Sequence, residues 1–391
     1  MKYYYEYAPL MHIDDEPTDL NDTVWTNVFK YLDPSPVRGG FWIRFAIHNA
    51  TNQPQDLFLV SKRSFVYRMD GYLVDDKNPV HAYDESYSAR QREVRFKGIP
   101  QRIFPINLEQ NETVWVYLKV QSFHHVDILF TLYPKHALTT FVSQYNLMQG
   151  IFFGVMLIMV IYHLILYLIV HFKPYLYYVL YVSSFLLFEA IYLGYLHAYT
   201  TLSSLTLYLL LNVAIAFYLV LSVEFFKTTF MLAQHFSRLT QIISSIQLYI
   251  LVFVLGLIGM LYFNQFLYFE YLLPLFYMVL PLLYLLVVYV LFYLAYHNEH
   301  RLIYAHASLW AFLGLIGLLQ LLSSNSIIAM DSGYDDLFEF GMLVESVIFS
   351  LFLAYRLQEI QQAHQEQEIL LVRQGRYAQM GELINMIAHQ W

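Results

Sequence analysis

The sequence predicts a three-part membrane protein: an N-terminal antiparallel β-sandwich, a bundle of seven transmembrane helices, and a C-terminal cytoplasmic helix of coiled-coil type. Three observations lead there. Of the 391 residues, 58% are hydrophobic and only 13% charged, about half the charge of an ordinary soluble chain. The charge is unevenly placed: 15 of the 22 Lys and Arg lie in residues 1–147, and only Lys173, Lys227, Arg238 and Arg301 lie between 148 and 355. After Arg356 the chain turns polar and helix-prone, without proline.

Residues 1–19 form an N-terminal extension, acidic at Asp14-Asp15-Glu16. It has no apolar run of signal-peptide length. Export of the next domain is therefore expected to rely on a leader missing from this chain or on the first membrane helix. Residues 20–136 alternate short aromatic and β-branched runs with turn signals. The runs are Val24–Leu32, Phe41–His48, Gln55–Val60, Phe65–Met69, Ile103–Leu108, Thr113–Val120 and Val126–Tyr133. Turns are expected at Asp33–Pro36, Asn49–Pro54, Asp75–Pro79 and Glu109–Glu112. Strands at this spacing predict a sandwich.

Residues 137–147 are expected to be a linker. Seven apolar stretches follow within 148–355, near 148–170, 175–196, 204–226, 242–263, 271–294, 303–322 and 337–355. Each is close to the roughly 20 residues that cross a bilayer. None shows the polar face, repeating every 3.6 residues, of a soluble bundle helix. Orientation follows from the loops. Lys173, Lys227, Arg238, Arg301 and Arg356 follow spans one, three, five and seven, and the loops after spans two, four and six hold no Lys or Arg. Positive residues stay inside, so the C-terminus is expected in the cytoplasm and residues 1–147 on the opposite side. The implied location is a bacterial inner membrane, with the lipid bilayer as solvent for the middle of the chain.

Residues 356–377 are expected to continue span seven as a coiled-coil linker, through Leu357, Ile360 and Leu371, although His364 and Gln367 interrupt the seam. Residues 378–391 carry an apolar stripe, Met380, Leu383, Ile384 and Ile387, and end in Ala388-His389-Gln390-Trp391.

Several chemistries are excluded or disfavoured. With no cysteine there is no disulfide, thiol catalysis or Cys-ligated zinc, and no metal site is expected. A net charge of -8 gives no reason to expect nucleic-acid binding. No span contains the lysine that retinal attachment needs. A transporter or channel would call for repeats or broken helices near the midplane. The glycine pairs Gly256/Gly259 and Gly314/Gly317 and the prolines Pro274 and Pro281 are not arranged symmetrically.

The stretch Met380 to Trp391 resembles the H box of dimeric sensor histidine kinases. The resemblance implies that His389 accepts phosphate on a dimerisation helix, which makes a homodimer through the cytoplasmic helix the expected assembly. A neutral imidazole near pH 7 is a good nucleophile. The alternative is a surface histidine on a coiled coil. Gln390 stands where such kinases usually carry an acidic residue, and an amide cannot act as a base. The match is truncated within the H box. ATP and Mg, and a response regulator as partner, are expected only with a kinase domain beyond these residues; no cofactor is expected in this chain.

Upstream, Phe41-Trp42-Ile43-Arg44-Phe45, Asn49 to Pro54, Ile103 to Leu108, Thr113 to Val120, Ala311 to Leu322 and Phe340-Gly341 through Arg356 carry a second resemblance. They resemble the bacterial seven-transmembrane receptors with diverse intracellular signalling modules and the second type of their extracellular domain. That implies a jelly-roll-like sandwich similar to carbohydrate-binding modules and a ligand that is a small molecule or carbohydrate-like. A related receptor feeding a nucleotide cyclase is the alternative output. Candidate ligand residues are Trp42, Arg63, Tyr67, Arg68 and Tyr72. Trp25, Trp42 and Trp115 either stack on a sugar or pack within the sheet. Within the spans, Glu189, Glu224 and Glu345 are costly in hydrocarbon. Glu345, with His163 and Asn212 as possible partners, and Glu189 are candidates for an intramembrane polar switch or for static bonds. Glu224 and Lys227 are expected to pair at the interface.

Overall fold

The computed structural model describes residues 5–9, 26–28, 40–61, 68–75, 78–83, 99–121, 130–263, 283–294, 296, 301–324 and 333–390. Among the described residues, nine strands precede Lys135. They are β1 Tyr5–Pro9, β2 Thr26–Val28, β3 Phe41–His48, β4 Gln55–Ser61, β5 Arg68–Asp75, β6 Asn78–Tyr83, β7 Ile103–Leu108, β8 Thr113–Gln121 and β9 Phe130–Pro134. Six form one sheet in the order β2-β1-β3-β8-β5-β6, and three form a second in the order β7-β4-β9.

Period-two alternation explains how the sheets face each other. In β3, Phe41, Ile43, Phe45 and Ile47 point inward; opposite them in β8 stand Val120, Leu118, Val116 and Val114. From the smaller sheet come Leu59, Phe104, Ile106 and Leu108, so both sheets share one core. Gly71 is required by close approach: a Cβ there would lie 2.6 Å from the Phe104 ring. The β5–β6 register also slips between Gly71 and Tyr72, a common use of glycine in a strand. Asn49 ties two turns together. Its amide donates to the carbonyls of Gln53 (2.9 Å) and Glu109 (2.8 Å), and its Oδ1 accepts from the backbone N–H and hydroxyl of Thr51.

Three expectations for this region are corrected. Tyr5–Pro9, placed by sequence in an extension, is a strand between β2 and β3. Residues 65–67 of the strand expected at Phe65–Met69 lie outside the described residues, and the described strand continues past Met69 over Arg68–Asp75, because Met69 faces the core and Leu73 packs against it, with Gly71 between them. The ends of the expected turn Asp75–Pro79 belong to strands, since Asp75 pairs with Asn78 and Val74 with Pro79. Pro79 is tolerated because β6 is the edge of the sheet as described.

The long helices are α1 Lys135–Val170, α2 Lys173–Tyr192, α3 Ser204–Thr229, α4 Ser237–Tyr262, α5 Leu283–Leu294, α6 Arg301–Ser324 and α7 Gly333–Gln390. Short turns of helix at Tyr195–Tyr199 and Leu232–His235 punctuate them. The breaks have local causes. His171 takes a left-handed conformation (φ 57°) to close α1, and Pro174 opens α2. Gly194 at φ 85° ends the second helical segment, and the Ser203 hydroxyl accepts from Thr206 N–H to start α3.

Among the described residues, five helices are long and apolar enough to cross a membrane: α1, α2, α3, α4 and the Leu337–Tyr355 part of α7. The expected fifth and sixth spans correspond to shorter apolar helices at Leu283–Leu294 and Ala307–Leu319. Residues 271–282 of the expected fifth span lie outside the described residues. The expected linker 137–147 is helical and belongs to α1.

The bundle core is rich in aromatic rings, with Tyr175, Tyr178, Tyr181, Phe185, Phe225, Phe226, Trp310 and Phe349 all buried. Ile151, Ile158, Ile165, Leu168 and Ile169 on α1 are instead exposed. Only 11% of the most apolar stretch of α1 is buried, against 44% in α2 and α3. An apolar surface turned outward is what a lipid solvent selects.

Candidate functional site

Four places carry the polar chemistry. The first is the outer face of the six-stranded sheet. Even-numbered residues of β3 point there, and the register sets Trp42 beside Lys119, Arg44 beside Tyr117 and Ala46 beside Trp115. Trp42 is fully buried (0%), packs on Tyr72 at 5.6 Å, and has the Lys119 ammonium 5.4 Å from its ring centre. Trp42 and Tyr72 therefore do meet, but both are buried. Trp115 is the accessible ring at 40% exposure, with the Arg44 guanidinium 5.4 Å above it. Arg68 opens β5 opposite Gln121, while Arg63 and Tyr67 lie outside the described residues. Trp115, left open by the sequence between stacking on a sugar and packing in the sheet, is exposed; the half-buried Arg44 beside it was not singled out, and the alternation of β3 and β8 signals both. Trp25 lies outside the described residues.

The second place is the joint between sandwich and bundle. The outward residues of the smaller sheet, Phe58, Val60, Ile103 and Tyr133, pack against Leu138, Phe141 and Val142 at the start of α1. Tyr133 stacks on Phe141 with centroids 5.0 Å apart. Further along α1, the Gln149 amide donates to both carboxylate oxygens of Glu339 on α7, at 3.0 and 3.2 Å. The helix that leaves the sandwich is thus bonded to the helix that runs to the C-terminus.

The third place is the interior of the bundle. Glu345 on α7 is 2% exposed. One of its oxygens accepts from Trp310 Nε1–H on α6 at 2.6 Å, the other from the Tyr181 hydroxyl on α2 at 2.8 Å. The partners expected from sequence are corrected. His163 bonds instead to the Met159 carbonyl of its own helix and lies 4.3 Å from the Tyr178 ring. Asn212 donates to the Tyr208 carbonyl, also within its own helix. Each makes its hydrogen bond locally, one turn back along α1 and α3, a short-range bond that sequence spacing does not rank against a long-range one. Glu189 is buried on α2.

Tyr175, Tyr178 and Tyr181 form a ladder at three-residue spacing. Their hydroxyls reach the Leu353 carbonyl (3.5 Å), the Ser346 carbonyl (3.4 Å) and the Glu345 carboxylate, so one face of α2 runs along α7. That spacing was the available signal for Tyr181; Trp310 had none beyond its place within an apolar span. Glu224 and Lys227 pair at 2.6 Å, and Ser244 and Gln247 complete the ammonium's contacts.

The fourth place is the end of α7. The helix continues without interruption from the bundle to Gln390, so the backbone of His389 is helical. Between 365 and 381 it is exposed throughout, including Ile369, Leu370, Leu371 and Val372.

No curated protein matches the chain. The family profile described as 7TMR-DISM extracellular 2 matches residues 30–134, which hold strands β3 to β9. The profile described as 7TM diverse intracellular signalling matches residues 145–356, more than half of the chain, from within α1 to within α7. With an extracellular sheet domain joined to apolar helices, the last of which continues as one long helix, the chain belongs to the family of seven-transmembrane receptors with diverse intracellular signalling.

Proposed function

We propose that this receptor is the sensory half of a two-component system in a bacterial inner membrane. Its sandwich lies in the periplasm, α1 to α7 cross the bilayer seven times, and the end of α7 enters the cytoplasm as one strand of a homodimeric coiled coil. His389 is the phosphoacceptor; ATP and Mg belong to a kinase domain beyond these residues, and a response regulator takes the phosphate. The ligand is a small molecule or carbohydrate-like compound that stacks on Trp115, with Arg44 and Tyr117 supplying polar contacts. Stacking on an exposed aromatic ring suits the apolar face of a sugar.

One observation carries this reading: a single helix, Gly333–Gln390, joins the buried Glu345 contacts to His389. The 44 residues between Glu345 and His389 span roughly 65 Å at 1.5 Å per residue. A shift or rotation of α7 at Glu345 therefore reaches the histidine without a hinge. Small helix shifts are a recurrent means of transmembrane switching, and a ligand drives one only by binding the two states unequally. On the input side, the Tyr133–Phe141 stack and the Gln149–Glu339 bond lead from the sheet through α1 to α7.

The test uses the absence of native cysteine. Cysteine at Ser88 and at Gln367 should be labelled from opposite sides of the membrane. Labelling from one side ends the proposed topology. With the coding sequence past Trp391 included, label from the γ-phosphate of ATP should enter the wild type and not His389→Gln. Equal labelling, or a downstream cyclase domain, ends the kinase assignment.

A further inference from the structure

A cavity of about 50 Å³ lies inside the bundle, against Glu345. Its walls come from four helices: Tyr218 and Ser222 on α3, Tyr284 on α5, Trp310 on α6, and Glu345 on α7. Leu283, Val287 and Leu313 complete the apolar side. A cavity this size, mostly apolar in its lining with the Glu345 carboxylate at one wall, holds about three or four water-sized groups.

The arrangement around the carboxylate is lopsided. Both oxygens of Glu345 accept from neutral donors, the Trp310 indole and the Tyr181 hydroxyl. Donors placed on both oxygens suit a carboxylate. Yet no Lys, Arg or His bonds to it among the described residues. Lys227, a cation on α3, is engaged elsewhere by Glu224, Ser244 and Gln247. A carboxylate at membrane depth calls for a partner. The rings around the cavity supply the complementary half of a cation site: Tyr284 and Trp310 are stacked at 9° with centroids 6.0 Å apart, and Tyr218 closes another wall. Aromatic faces attract ammonium groups, most strongly where water is excluded.

We propose that the cavity binds a small organic ammonium ion of about two to four non-hydrogen atoms. Glu345 provides the counter-charge, and the rings of Tyr218, Tyr284 and Trp310 form the cage. The size of the cavity sets the upper limit, and the Ser222 oxygen, whose hydrogen is donated to the Leu219 carbonyl, is left to accept from the ligand. Such an occupant touches α3, α5, α6 and α7 at once. It therefore bears on the position of the helix that carries the output, separately from any ligand of the sandwich.

The test is saturation binding of methylammonium chloride to the purified full chain in lipid nanodiscs, followed by calorimetry. Sodium chloride and choline chloride at equal ionic strength serve as controls. Methylammonium should bind saturably, sodium and the larger choline should not, and Glu345→Gln should weaken binding by about thirtyfold or more. Ser222→Leu keeps the carboxylate but fills the cavity, and should abolish binding even if Glu345→Gln fails to fold. Absence of saturable binding to the wild type overturns the proposal. So does an equal response to sodium or choline, or binding retained by the Ser222→Leu chain. The measurement reads occupancy and not signalling, so its failure leaves the receptor reading above untouched.

Discussion

The sandwich and the bundle place their polar groups in opposite ways. In the sandwich, Phe104, Ile106 and Leu118 fill the centre, while Arg44, Tyr117 and Trp115 sit on the outer face of the larger sheet. In the bundle, Ile151, Ile158 and Leu168 of α1 face outward, while Glu345, Gln149 and His163 are buried. The difference teaches what holds each region. Water drives the sandwich together through apolar burial. Lipid gives apolar side chains no such reason to cluster, so close packing and interhelical hydrogen bonds carry more of the organisation between helices. The same residue type then has opposite meanings: Trp42 is a packed sheet residue, whereas Trp310 is a hydrogen-bond donor that fixes a carboxylate.

This comparison ranks substitutions. The largest effect is expected for Phe104→Ala, which removes the ring nested over Gly71 between the sheets. A loss of about 3–5 kcal/mol is expected, read as a lower denaturant midpoint for the β-domain in the full chain. Asn49→Ala comes next. It strands the carbonyls of Gln53 and Glu109 and frees Thr51, for about 1–3 kcal/mol, visible in the same transition. Trp310→Phe keeps an aromatic wall but deletes the N–H that reaches Glu345. About 1–2 kcal/mol is expected, read from unfolding of the helices in mixed micelles. Were Trp310→Phe to cost more than Phe104→Ala, the contrast between the two regions would be reversed.

The layout of both regions was legible in the sequence for physical reasons. Alternation every second residue marked β3 and β8, because one face of each meets the core. Confinement of basic residues to alternate loops marked the orientation that we propose. What stayed hidden was long-range pairing. Nothing local in Tyr5–Pro9 says that it joins β3, since strand pairing depends on a partner more than 30 residues away. Glu345 was legible as a costly group, but its partners Tyr181 and Trp310 lie 164 and 35 residues distant. The two candidates that the sequence offered, His163 and Asn212, bond to their own helices. The Tyr175, Tyr178 and Tyr181 spacing shows a face on α2, without saying that α7 lies against it.

The smallest effect sharpens the comparison most. Gln149→Leu removes the bond from α1 to Glu339 while leaving a side chain of similar size. In a membrane such interhelical bonds average about 0.6 kcal/mol, so the bundle should unfold almost as the wild type does. The contact nevertheless links the helix docked on the sandwich to the helix that carries His389. If α1 drives α7 through it, Gln149→Leu should change the rate at which cysteine at Leu371 cross-links between two copies, with thermal stability nearly unchanged. An unaltered rate would place the coupling elsewhere, in the aromatic packing of α2 on α7, where Tyr178 and Phe349 meet at 6.1 Å.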